Sequence, residues 1–383
     1  MISPELLERL ACPRCLEPAG CPRCARPPGH EGCALDYAAR AACPCGGPDK
    51  VALRAEGEAL MCSCCSRAYP IVRGQGYVDL MAEQAGETET LYDDHEFQER
   101  LRVTAAPPLL SARVKADMMR LMLDLRPGQR ALDLGCGAGK MALFAHEHGA
   151  RATGVDAAPF FLPAAAAAVD LVRGDLRRLP FRKGSFEAAW SIDVLEHLDE
   201  PGVAELLVEA RRVLAPGGGL FVYTHAMESS RLASFQRGVN RLARRLGRAG
   251  LIDHEREAMR KADHRNPLRS HEHFDALCAA AGLAVTERRY YNVVVKAVVE
   301  DLGLRMLEQA RRRPRPAAEG GHAHDRARGH AAAAPGTPGR FALAGGRALT
   351  WLLKLDVVLF GGIRTGPFFA RLQPRMPERP GKS

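Results

Sequence analysis

At 383 residues and 46% hydrophobic content the chain can bury a sizeable core, so a globular protein of two domains or one enlarged domain is expected. Lys and Arg outnumber Asp and Glu by 54 to 45. The net charge of +9 favours an acidic partner such as nucleic acid or a lipid head group, although biased genome composition accounts for an arginine excess equally well. Ten of the twelve cysteines lie between Cys12 and Cys65, mostly in C-x-C or C-x2-C pairs, which excludes a secreted disulfide framework and favours metal ligation in a reducing compartment.

The opening MISPELLERLACPRC carries no basic stretch followed by an apolar run, so no secretory signal is read and a cytoplasmic location is expected. Residues 1–82 are rich in cysteine, proline and glycine and end in short strands around 69–72 and 76–80. Residues 83–107 are read as a linker, whose acidic part, Glu83 to Glu99, suits a linker or a loosely packed connecting helix. Leu110, Val114, Met118, Leu121 and Leu125 recur at helical spacing and predict a helix over 108–125. Strands over 130–134, 152–155, 169–172, 188–191 and 220–224 then alternate with helices over 139–148 and 203–214, with a turn at 215–218. That order predicts an α/β, Rossmann-like doubly wound sheet over 108–310.

Residues 225–269 are too long for an ordinary connection and are read as a cap over an acceptor pocket. Arginines 231, 237, 241, 244, 245 and 248 within it mark either an anionic-ligand site or a solvated helix face. Ser270 caps a helix to Ala281, Gly282 ends it, and a late strand covers 283–291. Residues 311–340 hold almost no large apolar residue and read as a disordered linker. Residues 341–383 are an apolar segment and tail; the apolar part, Phe341 to Ile363, is interrupted by Arg347, Lys354 and Asp356, which argues for a packed or peripheral helix and against a transmembrane span.

The strongest local signal is Asp133-Leu134-Gly135-Cys136-Gly137-Ala138-Gly139-Lys140, a buried strand running into a glycine-rich turn and a helix. Glycines let the backbone bend sharply and approach a ligand, and the helix start presents free amides. The third glycine comes one residue too early for the dinucleotide fingerprint, which disfavours NAD. The pattern resembles the class I S-adenosylmethionine-dependent methyltransferases of the methyltransferase type 11 group, over roughly 125–291. That resemblance implies donor contacts from Asp133, Gly135, Cys136, Gly137 and Gly139. It further implies that Asp156, ending Thr153-Gly154-Val155-Asp156, holds the ribose hydroxyls. Asp175 and Leu176, in Gly174-Asp175-Leu176-Arg177-Arg178-Leu179-Pro180-Phe181, would meet the adenine. Ser191 opens a segment similar to the family's fourth-strand signature, Ser191-Ile192-Asp193-Val194-Leu195-Glu196-His197-Leu198. Methyl transfer needs alignment more than a strong base; if a base is required, His225 and His197 are the candidates, and Tyr223 is a pocket-shaping alternative.

Cys12-Pro13-Arg14-Cys15 and Cys62-Ser63-Cys64-Cys65 are two C-x2-C pairs of the kind tetrahedral zinc requires. Their flanks are similar to the small zinc-ribbon proteins that activate tRNA and release-factor methyltransferases. The insert adds Cys21, Cys24, Cys33, Cys43 and Cys45, from which Cys21, Cys24, Cys43 and Cys45 could hold a second zinc; Cys64 and Cys33 leave the pairing open. Three functions follow as expectations. The first is methyl transfer to a small-molecule or lipid-like acceptor. The second is RNA methylation with the zinc module docking the substrate. The third is a non-catalytic scaffold, with the zinc module binding a protein partner.

Overall fold

The computed structural model describes residues 2–16, 52–81, 107–229, 232–252, 264–265, 267–306 and 340–375, in which eleven strands form one mixed sheet. Helix α1 (Pro4–Arg9) is capped by Ser3 and leads to a short helical turn, Pro13–Leu16. An antiparallel set follows: β1 (Leu53–Glu56), β2 (Ala59–Cys62), β3 (Ala68–Val72) and β4 (Tyr77–Asp79). Next come α2 (Leu110–Leu123), β5 (Arg130–Leu134), α3 (Lys140–Glu147), β6 (Arg151–Asp156), α4 (Pro163–Ala168), β7 (Asp170–Arg173) and β8 (Phe186–Ile192). The chain continues with α5 (Glu200–Val213), β9 (Leu214–His225), α6 (Ala233–Arg248), α7 (His271–Ala280), β10 (Leu283–Tyr290), α8 (Arg340–Phe360) and β11 (Pro367–Pro374).

The strand order is β1-β2-β3-β4-β7-β6-β5-β8-β9-β11-β10. From β4 to β9 the pairs are parallel, and β11 is antiparallel to both β9 and β10. Parallel strands with helical crossovers put ligand-binding loops at their carboxyl ends. The doubly wound α/β sheet expected from the sequence is therefore present, with additions at the β7 edge and, between β9 and β10, where β11 is inserted.

One extension is the cysteine-rich segment. Tyr77, Val78 and Asp79 of β4 pair in register with Leu171, Val172 and Arg173 of β7, so this strand continues the central sheet. Ser3 Oγ donates to Asp170 Oδ2 at 2.7 Å, the buried Arg9 reaches Thr153 and Asp170, and the Arg182 amide donates to the Arg9 carbonyl at 2.8 Å. Leu6, Leu10, Cys12 and Leu60 share one core with Leu132, Val155 and Val172. The proposed linker, 83–107, lies outside the described residues except for Pro107.

The other addition, the inserted β11, comes from the segment read as an apolar tail. Phe368 and Phe369 of β11 are fully buried, and the Phe369 ring lies 4.9 Å from Tyr223 and 5.5 Å from Tyr291. Two of the three mid-segment charges are tied down: Asp356 accepts from the amides of Val295 (2.8 Å) and Lys296 (3.0 Å), and Lys354 pairs with Asp117 at 2.7 Å. No helix among the described residues is long and apolar enough to cross a membrane. Residues 311–339 lie outside the described ones. Phe369→Ala is expected to cost about 3–5 kcal/mol in a urea titration, as for other fully buried aromatic side chains. A cost under about 1 kcal/mol would remove β11 from the middle of the sheet.

Two local readings are corrected. Leu121, one of the apolar residues at helical spacing in α2, is largely exposed, because Met119, Met122 and Ala116 face the core. Residues 215–218, read as a turn, lie inside β9; the register jumps from Phe186–Leu214 to Ala188–Gly219, so the Pro-Gly chemistry makes a bulge within a continuous strand.

Candidate functional site

The carboxyl ends of β5, β6, β8 and β9 converge on one edge of the sheet, and the expected donor residues lie there or nearby. Gly135, Gly137 and Gly139 all take left-handed φ, at 75°, 51° and 81°. At two of them the reason is internal: a Cβ on Gly135 would lie 2.5 Å from Val194 Cγ2, and one on Gly139 2.8 Å from Ala165 Cβ. Gly137 differs, because a Cβ there would meet nothing within 4 Å, which leaves open space beside the turn. Asp156 braces this turn: its Oδ2 accepts from the Gly137 amide at 2.7 Å and its Oδ1 from the Ala158 amide at 2.9 Å.

Beneath the turn two buried polar atoms lack a hydrogen-bond partner among the described residues, Asp133 Oδ2 and Ser191 Oγ. Burial, reinforced by the Asp156 charge, pushes the Asp133 carboxyl up to about 8. Cys136 is buried with its thiol pushed up, first by burial, so it packs as an apolar side chain against the core. Leu176 is likewise buried in the core. Asp175 is gripped by its own neighbour, with Arg177 Nη2 donating to Oδ2 at 2.8 Å and the Arg177 amide to Oδ1 at 2.8 Å. A buried acid with one unpartnered oxygen and an open glycine cradle fit a cationic, nucleoside-bearing ligand.

The two histidines part company. His197, in the 3-10 turn Leu195–His197, packs edge-on against His264, 4.7 Å between ring centres. His225 ends β9 with Nδ1 3.6 Å from Glu196 Oε1. Glu196 is buried and accepts from Thr224 Oγ1 at 3.1 Å; burial alone would raise its carboxyl, but the adjoining His225 favours the charged form, and the carboxyl lies below its usual range. Sequence reasoning missed Glu196, reading its segment only as a strand signature. It also missed Lys115, whose ammonium pairs with Asp193 and lies 4.2 Å from the centre of the Tyr223 ring.

Asp193, Glu196 and His225 together offer ligand atoms within 4.8 Å of one another, a donor set that a divalent cation would accept. Lys115 already supplies a positive charge at Asp193. At the other edge of the sheet, Cys12, Cys15, Cys62 and Cys65 bring four sulfurs within 4.8 Å, with Sγ–Sγ distances of 3.7 Å for Cys12–Cys65 and Cys15–Cys62. A zinc–sulfur bond of about 2.3 Å places tetrahedral sulfurs about 3.8 Å apart, so the four thiols fit zinc and not a pair of disulfides. Cys64 is buried beside them outside this set, and Cys21, Cys24, Cys33, Cys43 and Cys45 lie outside the described residues.

A family model described as a methyltransferase domain matches residues 132–222, which span β5 to most of β9. The chain is 32% identical over 110 residues to a sterol 4-C-methyltransferase of Caenorhabditis elegans, covering 26% of this chain and 32% of that one. It is 32% identical over 143 residues to a ubiquinone biosynthesis O-methyltransferase of Xanthomonas oryzae, covering 35% and 59%. The chain thus spans between about a third and three fifths of the length of these relatives. Among solved structures, phosphoethanolamine N-methyltransferase 2 of Haemonchus contortus with S-adenosylmethionine is similar with a TM-score of 0.43 and 19% identity, covering 73% of this chain and 56% of that one. The fold is the Rossmann-like α/β fold of methyltransferases.

Proposed function

We propose that this chain transfers a methyl group from S-adenosylmethionine to a small, lipid-like acceptor. The observation that carries the reading is the glycine turn of 135–139 with the Asp156 carboxylate folded onto its central amide. Asp156 would hold the ribose hydroxyls, and the open side of Gly137 would admit the ligand. The donor supplies an electrophilic methyl group when bound. The acceptor class is supported by the sterol and ubiquinone relatives, whose names describe transfer to such molecules. Because the displacement is in line, the protein's main work is alignment and exclusion of water. Residues 264–265 bear on this: the Arg265 amide donates to the Glu196 carbonyl at 2.7 Å, which supports a cap over the acceptor side.

His225 is the better placed of the two candidate bases, and Glu196 is its positioning residue: the buried carboxylate would fix the imidazole so that its other nitrogen faces the acceptor. Glu196→Gln is expected to slow transfer about 10- to 100-fold with donor affinity unchanged, and Glu196→Gln/His225→Gln to be no slower than the worse single variant, since the pair acts as a unit. Additive losses in a double-mutant cycle would separate the two residues.

Asp133 gives a pH dependence. With its carboxyl pushed up to about 8, it carries a proton at neutral pH before the donor arrives. A cationic ligand favours the ionised form, so binding releases a proton and affinity rises with pH until the carboxyl has titrated. Calorimetry in two buffers of different ionisation enthalpy reads that release directly; identical heats would mean Asp133 does not sense the donor.

We also infer that Cys12, Cys15, Cys62 and Cys65 hold a structural zinc, since four thiolates leave no open position for catalysis. The acceptor class is tested by incubating the protein with methyl-labelled donor and cell extract. Label is expected in the chloroform-soluble products. Label in RNA would replace this reading with the nucleic-acid one, and no transfer despite donor binding would leave a binding protein.

A further inference from the structure

The helix α6 leaves the site from just beyond His225 and is sharply two-sided. Phe235, Val239, Leu242, Ala243 and Leu246 recur at the spacing of one helical face, while Arg237, Arg241, Arg244, Arg245 and Arg248 fill the other. The helix contains no acidic residue. Among the described residues none of its five arginines has an ion-pair partner, in contrast with the paired arginines elsewhere, such as Arg173 with Asp79 and Arg364 with Glu228.

The apolar strip is only half used by the fold. Val239 and Ala243 are buried, and α6 packs against the helical segment Ala297–Leu304. Phe235 and Leu242 remain 43% and 47% exposed, on the edge of the strip nearest Arg241 and Arg245. An exposed aromatic and an exposed leucine bordered by unpaired arginines are what a helix lying in a bilayer interface presents: apolar side chains enter the acyl boundary while guanidinium groups meet phosphate head groups.

We propose that α6 docks the protein on an anionic lipid surface. The proposal rests on the lipid-like acceptor reading for its purpose but not for its test, because vesicle binding needs neither donor nor turnover. An RNA-binding face would use the arginines and leave the apolar edge idle; the exposed Phe235 and Leu242 favour the lipid surface.

Flotation of the full chain with phosphatidylcholine vesicles, with and without an equal share of phosphatidylglycerol, tests it. Binding is expected to the anionic vesicles alone and to weaken as salt is raised. Arg241→Gln/Arg244→Gln/Arg245→Gln should lower the partition coefficient about 100-fold, and Phe235→Ser/Leu242→Ser about 10-fold, with donor binding unchanged in both. Equal binding to neutral vesicles, or no binding to either, would overturn the proposal. So would single-stranded RNA binding that the arginine variant abolishes and the Phe235→Ser/Leu242→Ser variant keeps.

Discussion

Asp156→Ala is expected to weaken S-adenosylmethionine binding at least about 100-fold while the chain stays folded. Two effects add. The carboxylate now accepts from the Gly137 and Ala158 amides, and a charged acceptor contributes about 1.5–3 kcal/mol per hydrogen bond. Its loss frees the turn as well as removing the ribose acceptor, and about 3 kcal/mol corresponds to roughly 100-fold in affinity. Asp156→Asn keeps the shape but loses the charge, and should fall between alanine and the parent. Gly137→Val tests the same site from the other side: valine would fill the open space and resist a φ of 51°. Calorimetry on folded variants decides it; parental affinity in both would sink the donor assignment.

Cys15→Ser is expected to release the zinc and unfold more than a local loop. A structural zinc contributes about 10–16 kcal/mol in small metal-folded peptides, comparable to the whole stability of a typical domain of about 5–15 kcal/mol. Here the neighbours of the proposed zinc site are shared, because Cys12 and Cys15 lie in the same core as Leu132 and Val155, and β4 pairs with β7. The variant should melt at a markedly lower temperature and admit protease within residues 2–81. Metal analysis of the parent reads the count. One equivalent matches Cys12, Cys15, Cys62 and Cys65, two equivalents would bring in Cys21, Cys24, Cys43 and Cys45, and less than one would refute the zinc reading. An unchanged melting temperature in the metal-free protein would show that the cysteines do not support the sheet.

The central half of the fold was legible because its signals are local. The strand before Gly135, the acid ending β6 and the Ser270 cap, which accepts from the His273 amide at 3.1 Å, are each written within a few residues. The glycine turn that follows β5 was legible for the same reason. What was not legible is non-local. Nothing in Pro367–Pro374 says that its partners are Leu220 to His225, more than 140 positions away, and the charges around it obscured its burial. The pairing of β4 with β7 is hidden likewise, since a three-residue strand at the end of a cysteine module looks the same whether it is an edge or a join. Glu196 was missed because a carboxylate in a strand-to-helix turn reads as surface charge, and only the fold reveals that it is buried against His225.

Titration calorimetry of the purified, zinc-replete chain with S-adenosylmethionine tests the central claim most directly. The account predicts one site per chain, competed by S-adenosylhomocysteine and tighter as pH rises toward the range in which Asp133 ionises. A folded protein that takes up neither ligand would contradict it.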